Sequence, residues 1–267
     1  MLNEKSLDTL CAVLADAIGV ERPHQAAEPN EVLSAYVNEK MDGKKVDRIF
    51  MYNPDAIAQW VYEKYPQLVK EVKRHTEVAV PFRTVMPSVT PVCFGTMYTG
   101  AQPSVHGIIK YMKPVIKIDT FFDALIRAGK KVAIIADTDC SMARIFLERD
   151  MDYFIYDTLE QINAKAVELI IEDKHDVIVA YNTNYDAIMH KFGPESIEAL
   201  AELRANAEVF GMFNELIKKH WASHDTLVGF AMDHGCHEID GDCGAHGLDM
   251  EEDLNIVHHY KIYPKHD

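Results

Sequence analysis

Positive charge is scarce in this chain: 27 Lys and Arg stand against 42 Asp and Glu, a formal net charge of −15 over 267 residues. That deficit argues against a general electrostatic grip on nucleic-acid duplexes or anionic membranes. An anionic substrate then needs local help, most directly from bound cations. Cysteine is also sparse. Cys11, Cys93, Cys140, Cys236 and Cys243 are scattered and odd in number, which excludes a disulfide framework and points to reduced thiols in a cytoplasmic setting. No apolar run reaches membrane-spanning length, and the first residues lack a basic stretch followed by an apolar core, so neither a membrane span nor a targeting signal is expected. Internal repeats and low-complexity tracts are missing too.

What is present is a core. At 48% hydrophobic residues the chain can fill one large α/β domain. Short apolar runs alternate with helical periodicity: strands at 48–52, 77–80, 132–136, 153–156, 177–181, 227–232 and 256–263, and helices at 6–19, 31–40, 120–128, 141–148, 159–172 and 195–219. Residues 56–74 read as helix interrupted at Pro66. This alternation predicts a mainly parallel central sheet with helices on both faces. Residues 1–45 read as a helical extension packed on a core of residues 46–267. His258 and His259 are taken as alternating sheet residues.

Chemistry gathers where strands end. The run Leu227–Met232 breaks into Asp233-His234-Gly235, placing a carboxylate beside an imidazole at a sheet edge, although Asp and Gly are also ordinary turn residues. The strand at 48–52 leads to Asp55, which either faces the same edge or opens the following helix. After the strand at 177–181, Asp186 and His190 stand four apart, suited to sharing a metal or to a plain surface pair. Thr90-Pro91 reads as a helix N-cap with Pro at the first position and Gly100 closing the helix. The amides of Val92 and Cys93 are then free for a phosphate, and the bland alternative is a cap without chemistry. Lys110, Lys113 and Lys117 form a basic cluster that is more often a solvated face than an anion pocket. Cys236, His237, Cys243 and His246 offer a structural zinc knuckle, but the two Cys are wider apart than the usual pair.

Order and number of these motifs matter more than any one of them. Asp55, the block Pro87-Ser-Val-Thr90-Pro through Thr99-Gly100, Pro103, His106-Gly107-Ile108, Asp186 to His190, Asp233-His234-Gly235 and Ala245-His246-Gly247 together resemble the alkaline phosphatase superfamily. The closest branch is that of nucleotide pyrophosphatases/phosphodiesterases, and the likeness runs from about residue 46 onward. The resemblance implies a two-metal hydrolase of small phosphorylated substrates. One divalent ion, usually zinc and alternatively manganese, would be held by Asp186, His190 and His246. The other would be held by Asp55, Asp233, His234 and the Thr90 oxygen, with Thr90 as a nucleophile that passes through phosphothreonine. Cys93 departs from the branch, which usually carries an amide-bearing Asn there, and a thiol is a weak donor. The segment between Thr90 and Asp186 leaves no room for the large cap of the superfamily's phosphosugar mutases. Phosphomonoester or phosphonate hydrolysis, and a non-catalytic protein with a zinc knuckle, are the competing expectations.

Overall fold

The computed structural model describes residues 1–266. The chain runs α1 (Thr9–Ile18), α2 (Glu31–Met41), β1 (Arg48–Pro54), α3 (Gln59–Lys64), α4 (Lys70–Arg74), β2 (Val78–Arg83), α5 (Thr90–Thr99), α6 (Pro103–His106), α7 (Phe121–Arg127), β3 (Val132–Asp137) and α8 (Ser141–Ile145). It continues through β4 (Asp152–Tyr156), α9 (Leu159–Glu172), β5 (Val177–Asn182), α10 (Asn184–Phe192), α11 (Ile197–His220), β6 (Thr226–Phe230), β7 (His237–Ile239), β8 (Cys243–Ala245), α12 (Glu251–Leu254) and β9 (Asn255–Tyr263).

Seven strands form the central sheet in the order β2-β9-β6-β1-β5-β3-β4, and only β9 runs against its neighbours. The expected mainly parallel sheet is therefore present. β1, β5 and β6 are wholly or almost wholly buried, as strands covered on both faces must be. Adjacent residues of β1 show the two covers directly. The Tyr52 hydroxyl donates to Asn206 of α11 at 2.9 Å, whereas Asn53 accepts from the Tyr98 hydroxyl of α5 at 2.7 Å. Successive side chains of a strand point to opposite faces, so α11 covers one side and α5 the other. Aromatic rings fill both layers: Tyr52 packs with Phe210, Phe213 and Phe230, and Tyr98 with Phe122 and Phe146. Each such ring contributes roughly 1.5–3 kcal/mol by burial.

Some expected elements end elsewhere. The helix expected to reach Glu148 stops at Ile145, and Glu148 adopts a left-handed φ of 65° that a helix cannot contain. Asp55 does not open a helix: Ala56 has φ 59°, and α3 begins only at Gln59. The interruption at Pro66 separates α3 from α4. A two-stranded hairpin, β7-β8, was not expected from its short, Gly-rich sequence. Buried residues of α1 belong to the same hydrophobic core as the sheet, and the Leu7 amide donates to the Arg83 carbonyl at 2.9 Å.

Candidate metal centre and nucleophile

Register sets the site. In the parallel pairing of β1 with β6, Tyr52 lies beside Phe230, so Asp55 and Asp233, each three residues further on, leave the sheet side by side. On the other flank Pro54 pairs with Asn182, and the Asp55 amide donates to the Asn182 carbonyl at 2.9 Å; α10 then starts at Asn184 and carries Asp186 and His190 on successive turns. Gly235 completes the turn after His234 because a Cβ there would come within 2.0 Å of the Glu252 carbonyl oxygen. The β7-β8 hairpin brings His246 back over the sheet edge.

Two groups of three result. Asp55, Asp233 and His234 are all buried, and Asp186, His190 and His246 sit nearer the surface; within each group the ligand-type atoms lie within 4.8 Å of one another. Sequence analysis named these six residues, and the fold brings them together. None of the five cysteines joins either group among the described residues. Cys236 is buried with its thiol pushed above its ordinary range by that burial, while the Cys243 sulfur approaches the Lys191 and Gly241 carbonyls.

The electrostatics ask for cations. Three carboxylate oxygens, Asp55 Oδ1, Asp186 Oδ1 and Asp233 Oδ2, are buried without a hydrogen-bond partner. All three imidazoles are fixed from behind: Nδ1–H of His190 donates to the Gly244 carbonyl, that of His234 to the Gly235 carbonyl and that of His246 to the Ser88 carbonyl, each at 2.9 Å. A carbonyl only accepts, so each Nε2 is left for the site. Gly244 can serve His190 because a Cβ there would lie 2.2 Å from the Met189 sulfur, so only glycine lets the hairpin approach α10.

His234 Nε2 stands 3.4 Å from Asp55 Oδ1 and 3.3 Å from Asp233 Oδ2. Burial holds this imidazole down to about 3, so it is neutral and turns a lone pair toward two carboxylate oxygens. Burial also lifts Asp233 to about 7, and burial with repulsion from Asp233 and Asp186 lifts Asp55 well above the carboxylate range. In the other group burial pushes Asp186 upward. His190 and His246, with Nε2 at 3.2 and 3.3 Å from its Oδ1, more than offset this and hold it below the usual range. Desolvated acceptors converging on one point cost several kcal/mol unless a cation lies between them. Three carboxylates and three imidazoles fit zinc or manganese, and the Nδ1 partners give the outer support that metal-binding imidazoles require.

Thr90 lies beside this centre, its Oγ1 3.3 Å from His234 Nε2. It differs from expectation in one respect. Thr90 is the first residue of α5, not its cap; Val89 occupies the cap position in extended conformation, and its carbonyl accepts from both Val92 and Cys93 amides at 3.0 Å. Those two amides are spent inside the helix and are not free for a phosphate. Cys93 is buried, its sulfur accepting from the Thr84 hydroxyl at 3.1 Å.

Thr90, Asp55, Asp186, His190 and His246 open into a cavity of about 630 Å³. Sequence analysis missed three contributors. Asp137 lines this cavity at the end of β3, and the same strand-end rule that found Asp55 would have found it. Tyr181 donates its hydroxyl to Asp55 Oδ2, leaving Oδ1 for the site; inside a wholly buried strand no sequence signal marks it. Ser88 carries the carbonyl that orients His246.

The result is an α/β sheet with two clusters of acceptors at its carboxyl edge and a threonine hydroxyl beside one of them, in the crevice where open α/β sheets collect ligands. The type I phosphodiesterase / nucleotide pyrophosphatase family model matches residues 52–125 and 117–264, and the chain belongs to that family. No curated protein gives a significant sequence match. Among solved structures, the fold is similar to phosphonoacetate hydrolase from Sinorhizobium meliloti 1021 in complex with phosphonoformate, with TM-score 0.55, 20% identity, and coverage of 76% of this chain and 61% of that one. It is also similar to murine ectonucleotide pyrophosphatase/phosphodiesterase 5, inactive and in complex with AMP, with TM-score 0.58, 16% identity, and coverage of 73% and 59%. The chain thus spans about three-fifths of the length of these structures. Among the described residues no helix is long and apolar enough to cross a membrane.

Proposed function

We propose that this chain hydrolyses phosphate esters, preferentially diesters or pyrophosphate-type linkages, with two divalent metal ions and Thr90 as nucleophile. The observation that carries the reading is the set of three partnerless buried carboxylate oxygens gathered beside the Thr90 hydroxyl. Asp186, His190 and His246 would hold one ion; Asp55, Asp233, His234 and the Thr90 oxygen would hold the other. Bound there, the ions would neutralise charge on the phosphoryl oxygens and lower the pKa of the hydroxyl beside them. Zinc suits the ligand set best, with manganese the alternative.

Thr90 Oγ1 gives up its proton to solvent and forms a bond to phosphorus while the bond to the leaving oxygen breaks; the departing oxygen takes a proton from water. Water then attacks phosphorus from the opposite side of the Thr90 oxygen, which leaves and regains a proton. Tyr181 and the backbone carbonyls of Ser88, Gly235 and Gly244 keep the acceptors aimed throughout. Cys93 supplies no strong donor to the phosphoryl oxygens, which keeps phosphomonoester and phosphonate hydrolysis as the readings to be tested against diesters. All five thiols are free, which supports a reducing, cytoplasmic setting. Residues 1–45 act in this reading as a helical extension that buttresses α5 and α7.

A hydrolysis screen on metal-reconstituted protein tests it, using aryl phosphate monoesters, methyl aryl diesters and phosphonates. Metal-dependent turnover of diesters above monoesters is expected. No turnover of any of them with zinc or manganese would overturn the reading.

A further inference from the structure

One carboxylate outside the metal centre is buried as completely as any within it. Asp253 of α12 is wholly buried and lines no part of the cavity in front of Thr90. Its Oδ1 accepts from His237 Nδ1–H at 2.7 Å and its Oδ2 from the Leu248 amide at 2.8 Å. These two donors stand on either side of His246: His237 pairs with Ala245 across the β7-β8 hairpin, and Leu248 lies two residues beyond His246. The backbone carbonyl of Asp253 meanwhile accepts from the Gly235 amide at 2.8 Å, in the turn that follows His234. One residue thus grips the chain next to an imidazole of each metal-binding group, and the rings of His234 and His246 stack with centroids 4.1 Å apart. Desolvating a carboxylate is costly, and here the two donors offset that cost. An apolar side chain would fill the space without the desolvation, but would leave the Leu248 amide and His237 unheld.

Resting on the two-ion reading above, we infer that Asp253 is a positioning residue: through His237 and Leu248 it sets where His246 stands relative to His234, and with it the affinity of the ion assigned to Asp186, His190 and His246. It touches neither substrate nor ion and acts through the hairpin.

Cobalt(II) titration of metal-free protein tests this, with visible absorption reporting the coordination geometry. Asp253→Ala removes both acceptors and should weaken one ion about tenfold and alter its absorption bands, that ion being the one lost in His246→Ala. Asp253→Asn should restore affinity to within about threefold, because its carbonyl oxygen can accept from Leu248 while its amide donates to the other tautomer of His237. His237→Phe keeps a ring and removes one donor; it should weaken the same ion, and it decides the matter where Asp253→Ala does not fold. Unchanged cobalt affinity and spectra in both Asp253→Ala and His237→Phe, or equal weakening of both ions, overturns the inference while leaving the phosphoester reading standing. Asp253→Asn as weak as Asp253→Ala would mean that charge rather than position is at work, and overturns it too. If wild type itself takes up no cobalt, the two-ion assignment is wrong and the inference falls with it.

Discussion

Ser88 holds the His246 segment at two points. Its carbonyl accepts from His246 Nδ1–H at 2.9 Å, and its hydroxyl accepts from the Gly247 amide at 3.1 Å. Ser88 is wholly buried and lies two residues before Thr90, so one short stretch positions both the hydroxyl and an imidazole of the metal centre. Ser88→Ala keeps the carbonyl but strands the Gly247 amide. The expected result is a loss of about 1 kcal/mol in stability and of roughly tenfold or more in affinity for one metal ion, with the other unchanged. Metal titration together with urea unfolding measures both; equal weakening of two ions would show that Ser88 serves the fold alone.

His190 and His246 face one carboxylate oxygen of Asp186, at 3.2 and 3.3 Å, and their rings lie 5.0 Å apart. If they serve one ion, His190→Ala and His246→Ala each empty the same site, and the double variant is scarcely worse than either single. Isothermal titration of the three variants with zinc gives the coupling directly. Additive losses, or loss of different ions, would break the assignment of ligands.

Burial pushes His258 down to about 3, from an ordinary 6.5, in a pocket between Phe82 and the Met232 carbonyl. Its folded form favours the neutral ring, so the stability it permits is complete above about pH 6.5 and is lost progressively as pH falls toward 3. The unfolded chain binds the extra proton in that window. Unfolding free energies of metal-stripped protein measured from pH 7.5 down to 5 should fall more steeply for wild type than for His258→Gln. The difference in slope should approach about 1.4 kcal/mol per pH unit at most. Parallel curves would mean that His258 is already charged in the folded state.

The parts of the site legible from sequence were those announced by a change of pattern. A buried run that stops at a carboxylate marks Asp55 and Asp233, and a spacing of four marks Asp186 with His190, because strand ends and helix turns leave such periodic traces. Backbone partners leave none. The carbonyls of Ser88, Gly235 and Gly244 orient three imidazoles whatever their side chains, and the β7-β8 hairpin that delivers Gly244 and His246 is too short for periodicity. The shift of the α5 cap from Thr90 to Val89 has the same origin: the cap position is set by Val89's extended backbone, and valine is not a residue that propensity assigns there. Asp137 was within reach, since it ends β3 as Asp55 follows β1.

Thr90 carries the sharpest prediction. Its side chain caps nothing, so the stability lost in Thr90→Ala should stay within about 1 kcal/mol. As the nucleophile, however, its removal should cost on the order of a thousandfold or more in turnover. The alanine variant keeps Asp186, His190 and His246, together with Asp55, Asp233 and His234, so it should remain folded and retain at least one ion, and inactivity could not be assigned to collapse. Thr90→Ser preserves a hydroxyl at the same position and should keep measurable activity. Acid quenching of wild type during turnover should trap a phosphoryl group on the peptide that contains Thr90. A chiral substrate should give net retention at phosphorus, because two in-line displacements each invert the centre. Inversion, or near-normal turnover by Thr90→Ala, would exclude a covalent threonine and point to direct attack by water.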